Sequence, residues 1–249
     1  MIATARAAAP AARGSRTSAL GSAIALLFAC CSASPAAAQI GATASIFSDA
    51  RFRGYSLSEG RPVASLDFSY DDPSGAYFGS SATGVLRRGG DPALLDVQAD
   101  AGYAKQLRSG TTLDFGVTHS SYLNYSHGDR GKSYTEVYAG ISRGILSSRI
   151  SFSPRYFEAD RWTTYAEVNA NVSPARKWTL TAHAGALLTL HSAPPESYDP
   201  DFDWSLAVTR ELGRLSLHAV WSAGAPGHDR YRGTAHSRSS ALLGASWAL

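Results

Sequence analysis

Three stretches of this chain carry residue types at spacings that could do chemistry. In GVTHSSYLN, His119 and Ser121 stand two apart, which on a strand puts both side chains on one face. A histidine beside a serine is the arrangement of base-activated acyl transfer, provided a third group orients the imidazole. Here Tyr122 and Leu123 follow the serine, and Asn124 falls on the opposite parity, so the set is broken. In DPDFDW, Asp199, Asp201 and Asp203 alternate in a way that could chelate calcium. A calcium loop of the helix-loop-helix type would need Gly and Glu where Trp204 and Arg210 stand, so a solvated loop running into a strand is the simpler reading. In SDARFRGYSLSEGR, Arg51, Arg53 and Arg61 crowd together and could hold an anion or coat a surface. No glycine-rich phosphate loop, His-Glu-x-x-His or dinucleotide fingerprint occurs. The expectation is a protein that is not an enzyme and uses no metal and no cofactor.

The first residues read as an address rather than as fold. Arg6, Arg13 and Arg16 precede a short apolar run over 20–29, and SASPAAA ends in the small residues Ala36 and Ala38. That is a signal peptide over 1–38, with the mature chain starting at Gln39. Leu27, Phe28, Ala29 and Cys30 loosely resemble a lipoprotein box, which the bulky Phe28 fits poorly. Without the leader, 20 of the 23 basic residues remain against 20 acidic ones. The basic bias therefore belongs to the leader, and no nucleic-acid partner is expected. Both cysteines, Cys30 and Cys31, also leave with it, so neither a disulfide framework nor a thiolate metal site remains.

What could position any functional group is a series of strands. No segment of 39–249 has the continuous apolar length of a membrane helix. Alternation with a period of two recurs instead. Ala64, Leu66, Phe68 and Tyr70 oppose Val63, Ser65, Asp67 and Ser69; Leu95, Val97, Ala99, Ala101 and Tyr103 oppose Asp96, Gln98, Asp100 and Gly102. Thr164, Ala166, Val168, Ala170 and Val172 oppose Tyr165, Glu167, Asn169 and Asn171, and the last strand repeats the pattern with Ala241, Leu243, Ala245, Trp247 and Leu249. About twelve such segments follow one another. Their expected spans are 41–53, 62–71, 76–86, 93–105, 111–124, 133–144, 148–157, 161–173, 177–190, 201–211, 214–224 and 237–249. Short and long connections alternate between them, with one exception near 158–160. An even set of antiparallel strands, short turns at one end and long loops at the other, predicts an all-β, up-and-down transmembrane barrel over 39–249 in the outer membrane of a Gram-negative bacterium.

A soluble β-sandwich would also alternate. The aromatic residues separate the two readings. A packed core favours large rings in mid-strand, whereas a bilayer favours them at the headgroup level. Trp178 and Trp247, with Tyr70 and Tyr103, fall at the short-turn ends of their strands; Trp162, Trp204 and Trp221 mark the long-loop ends. All lie on the apolar parity, as two girdles would. In hydrocarbon every backbone group must find a partner in the chain, so the sheet must close and its polar face must line the inside.

The inward parity supplies candidate pore-lining residues: Asp49, Arg51, Arg53, Asp67, Asp96, Asp114 and Glu136 in the first half, then Arg149, Arg155, Glu167, His183, Asp203 and His218. Strand parity extended from Ala42, Ala44 and Ile46 turns Phe52 toward lipid and Arg51 and Arg53 toward the lumen. Such charges either select small polar solutes diffusing through a channel, or pair with one another and close a barrel that acts through its outer loops. A lipid hydrolase built on His119 and Ser121 is a distant third reading. Expected partners are outer-membrane lipids, lipopolysaccharide phosphates near the arginines of 127–132 and 227–233, the barrel-assembly machinery at the C-terminal strand, and small polar solutes.

The stretch FRGYSLSEGRPV, with LDFSY and SGAYFG after it, resembles the start of the TorF-family porins, the Gcw_chp family. The matching residues are Phe52, Arg53, Gly54, Ser56, Ser58, Gly60 and Pro62, followed by Tyr70, Gly75, Tyr77, Phe78 and Gly79. A second match is SFSPRYF, through Ser153, Pro154, Tyr156 and Phe157. Ser80 and Ser81 stand where that family commonly has an aromatic residue. The resemblance implies an exported outer-membrane barrel of porin type.

Overall fold

The computed structural model describes residues 38–87, 89–123, 132–192, 200–224 and 239–249. The leader expected over 1–38 lies outside them except for Ala38, as do Asn124, Asp199, the loop stretch 227–233 and nearly all of 127–132.

In chain order the strands are β1 (Gln39–Phe47), β2 (Arg51–Phe52), β3 (Tyr55–Ser56), β4 (Val63–Asp71), β5 (Ala76–Leu86), β6 (Pro92–Gln106) and β7 (Thr112–Tyr122). They continue as β8 (Lys132–Arg143), β9 (Leu146–Ser153), β10 (Trp162–Ala175), β11 (Trp178–His191), β12 (Asp201–Leu212), β13 (Leu215–Gly224) and β14 (Ser239–Ala248). Twelve of these, β1 and β4 to β14, form one closed antiparallel barrel, each paired with its neighbour and β14 returning to β1. Closure leaves no strand edge unpaired, the condition that a sheet in hydrocarbon must meet. The short β2–β3 pair is a separate hairpin.

The outside of the barrel is apolar. Ile46, Leu66, Phe68, Val117, Val137, Ile150, Val168, Leu206 and Leu243 all point away from the lumen and are exposed. The inside carries the polar parity, with Thr43, Asp114, Glu136, Ser151, Glu167 and Ser246 buried. Alternation along the sequence has become an outside and an inside, because successive strand side chains point to opposite faces.

Three local features depart from simple parity. The strand expected over 41–53 ends at Phe47, and 48–62 is a loop that carries the β2–β3 hairpin. The strand expected over 148–157 ends at Ser153, so 154–161 is a long loop and the exception to the short-and-long rhythm disappears. In β6, Asp96 pairs with Thr83 while Leu94 pairs with Gly84, which makes Leu95 the extra residue of a bulge. The bulge turns Leu95 inward, at 1 % exposure, and not outward beside Val97 as expected.

Candidate functional site

The hairpin of the first loop folds into the barrel. Phe52 pairs with Tyr55 across a two-residue turn made of Arg53 (φ 46°) and Gly54 (φ 81°). Two positive φ values are what a type I′ turn requires, and Asn-Gly is the sequence that usually supplies them. An arginine there costs about 1 kcal/mol of left-handed strain, so something must hold it in place. Part of the answer is Asp49, whose Oδ1 accepts hydrogen bonds from the hydroxyls of Ser56 (2.6 Å) and Ser58 (2.7 Å) and from the Gly60 amide (3.1 Å). Arg51 donates to the Gly54 carbonyl and closes the turn from the other side.

The rest of the answer is Arg53 itself. Its Nη2 donates to both carboxylate oxygens of Glu136 on β8, at 2.8 Å each. Its guanidinium carbon lies 4.0 Å from the ring centre of Tyr165, 4.8 Å from Phe52, 5.2 Å from Tyr156 and 5.9 Å from Tyr134. A guanidinium stacks on such faces more readily than a lysine ammonium would. Ala50, Phe52 and Leu57 of the first loop then join Leu95, Tyr122, Tyr134 and Tyr165 of the barrel strands and Tyr156 of the 154–161 loop in one apolar core at the loop end of the lumen. Phe52, expected to face lipid, is 4 % exposed within this core. The two motif stretches that carry the family resemblance, some hundred residues apart in sequence, meet here: Arg53 stacks on Tyr156, and Tyr156 lies edge-on to Phe157.

Around and beyond that core the lumen is polar. Asp114 accepts from the Tyr77 hydroxyl (2.5 Å) and from Arg149 (2.8 Å), and Arg149 stacks over Tyr138 at 4.1 Å. The Tyr77 and Tyr138 hydroxyls also hydrogen-bond each other. Asp203 faces His183 Nε2 at 2.9 Å and accepts from the Tyr165 hydroxyl at 2.9 Å, while His183 Nδ1 meets the Asn169 side chain at 2.7 Å. Beneath Arg149 a small recess is lined by Asp114, Ser142, Ser147, Glu167 and Asn169. His218 bridges Thr209 (3.0 Å) and Ser246 (2.6 Å). Asp96 is 1 % exposed beside Thr83, and among the described residues neither of its carboxylate oxygens makes a well-formed hydrogen bond.

The charge on this wall is one-sided. Asp67, Asp71, Asp96, Asp100 and Asp114 sit at inward positions of β4, β6 and β7. Glu136, Glu167, Asp201, Asp203 and Glu211 do so on β8, β10 and β12. Among the described side chains of the barrel strands, Arg149 is the one inward lysine or arginine.

Most of the residues expected to line a pore therefore face the lumen: Asp67, Asp96, Asp114, Glu136, Arg149, Glu167, His183, Asp203 and His218 from the strands, and Asp49, Arg51 and Arg53 from the infolded hairpin. Arg155 does not. It is exposed in the 154–161 loop, because β9 stops two residues before it. Tyr70, Tyr103, Trp162, Trp178, Trp204, Trp221 and Trp247 all point outward near strand ends, and Trp204 and Trp221 pack edge to face at 5.1 Å. His119 and Ser121 share the outer face, with His119 Nε2 3.1 Å from the Ser121 hydroxyl and Nδ1 2.9 Å from that of Thr135. No carboxylate or amide orients that imidazole among the described residues. Asp201 and Asp203 are inward and buried, and among the described residues no group of three or more His, Cys, Asp or Glu is placed to hold a metal ion.

Sequence reasoning put Tyr165 on the inward parity but gave it no role, and it did not place Tyr77 or Tyr138 in the lumen. Tyr77 lies over Gly102, Tyr138 over Gly116 and Tyr165 over Gly185, so that any side chain on those glycines would strike the ring. The signal was present as glycines on the polar parity of the neighbouring strand, directly opposite Tyr77 and Tyr138 and diagonal to Tyr165, an arrangement that lets a large ring lie flat against the wall.

No curated protein matches the chain in sequence. In structure it is similar to the NanC porin, with 10 % identity and a TM-score of 0.55 over 85 % of this chain and 100 % of that one. It is also similar to the KdgM porin, with 10 % identity and a TM-score of 0.49 over 85 % and 99 %. At such identity the likeness to NanC is one of fold. A family model described as "Bacterial protein of unknown function (Gcw_chp)" matches residues 31–241, and the chain belongs to that family.

Proposed function

We propose that the protein is exported by a cleaved leader over 1–38 and works in the outer membrane of a Gram-negative bacterium as a porin-type channel. Small polar solutes would diffuse through it passively, as the TorF resemblance implies, without catalysis or cofactor. The observation that carries this reading is a carboxylate-rich inner wall, polar beyond the loop-end core, enclosed by an apolar exterior. A purely structural barrel has no need to turn that many charges inward, where each must be desolvated or paired. In this reading the first-loop hairpin narrows the loop end and sets how often the channel conducts.

A second reading is favoured by the same hairpin. Its apolar core seals the loop end tightly enough to bury Phe52, Leu57 and Tyr122, as a closed barrel acting through its outer loops would require. Planar-bilayer recordings separate the two. Small or infrequent conductance steps for the wild type, enlarged by deleting 49–60, support the channel. Silence from both proteins sinks it in favour of the closed barrel.

A further inference from the structure

Arg53 is held in the way a protein holds a ligand. A single cation, carried on a strained turn, enters a pocket built by other elements: Glu136 from β8, Tyr134 from β8, Tyr165 from β10 and Tyr156 from the 154–161 loop. A carboxylate below and several ring faces around a positive charge are the recognition chemistry of guanidinium and alkylammonium ions. The fit of the tethered group is incomplete, since Arg53 Nη1 is buried with no hydrogen-bond partner among the described residues. The remainder of the wall favours cations as well, with Arg149 the one inward lysine or arginine among the described side chains of the barrel strands.

We infer that this pocket is a binding site for small organic cations of the guanidinium or alkylammonium class, and that Arg53 occupies it as a tethered substitute while the hairpin is docked. A solute of that class competes with Arg53, releases the hairpin and gains entry to the lumen. The solute class rests on the channel reading; the binding site itself does not depend on it.

The test uses methylguanidinium on the full mature chain in detergent. Calorimetric titration should show Arg53→Ala binding it about tenfold or more tighter than the wild type, because the competing side chain is gone. Arg53→Ala combined with Glu136→Gln should lose that gain. Equal affinities in the wild type and Arg53→Ala, or a gain that survives Glu136→Gln, would overturn the inference. Should Arg53→Ala fail to fold, judged by loss of heat-modifiable migration, the wild type still decides. Methylguanidinium should then open new trypsin cleavages after Arg51 and Arg53, while sodium chloride of equal ionic strength does not. An unchanged cleavage pattern refutes the competition. Absence of bilayer conductance alongside positive binding would count against the channel and leave the site standing.

Discussion

Gly54 at the hairpin tip and Gly224 at the end of β13 meet backbone to backbone. A Cβ on Gly54 would lie 2.5 Å from the Gly224 α-carbon, and one on Gly224 would lie 2.9 Å from that of Gly54. The first loop thus reaches into the lumen and its tip rests against the end of β13, two strands from β1, where neither residue has room for a methyl group.

Gly224→Ala should therefore lift the hairpin tip without disturbing the barrel ladder. The expected outcome is larger or more frequent conductance steps in planar bilayers, and trypsin cleavage after Arg53. Gly84→Ala is the control, since a Cβ there makes only an ordinary 3.6 Å contact with the Ala93 carbonyl. Conductance in Gly224→Ala that matches the control would show that the tip does not limit the pore.

Glu136→Gln keeps the shape of the side chain and removes the charge opposite Arg53. Both side chains are under a tenth exposed, and stripping one partner from a buried pair costs about 3–5 kcal/mol. The midpoint of the heat-induced gel shift should fall, and the hairpin should become protease-sensitive. A midpoint equal to that of the wild type would mean that Arg53 is held by its ring contacts alone.

An acidic wall favours cations by its field, with low-dielectric surroundings making each charge count for more. In a potassium chloride gradient the reversal potential should lie toward the potassium value. Asp67→Asn should move it back toward zero, because among the described residues that carboxylate has only a long 3.3 Å bond from Ser65 to occupy it. Arg53→Ala should move it further toward potassium where the pore is open. Anion preference in the wild type would contradict the count of inward charges.

Gly185→Ala tests the ring-on-glycine contacts. Its methyl group would fall on the Tyr165 hydroxyl end and 2.9 Å from Asp203 Oδ2. Crowding of that kind costs about 1–3 kcal/mol, and here it also moves a ring away from Arg53. Barrel stability and hairpin protection should drop together; a loss of one without the other would separate the two roles of Tyr165.

Ser121→Ala should leave bilayer conductance and stability as in the wild type, and neither protein should hydrolyse phospholipid. Labelling of Ser121 by a fluorophosphonate would reverse that expectation and make the His119 contact catalytic.

Much of this was readable from the chain. The parity of Leu66, Phe68, Val168 and Trp247 against Asp67, Glu167 and Ser246 carries the barrel, because a strand's period of two is a local property that needs no knowledge of its neighbours. The error at 148–157 arose because SPRYF keeps the alternation of a strand while Pro154 leads into a loop. The error at Leu95 arose because a bulge is set by the partner strand's register, which no single segment contains.

By itself the sequence determined that this is an alternating, all-β chain with charge on one face of its strands, since burial pattern and turn chemistry are written residue by residue. Only the tertiary structure decided where 48–62 goes. Parity extended along β1 turned Phe52 outward to lipid, but the Asp49 bonds, the Arg53–Gly54 turn and the rings waiting on β7, β8 and β10 draw it into the lumen. The ring contacts join residues far apart in the chain, and their energies exist only once the barrel has closed around the hairpin.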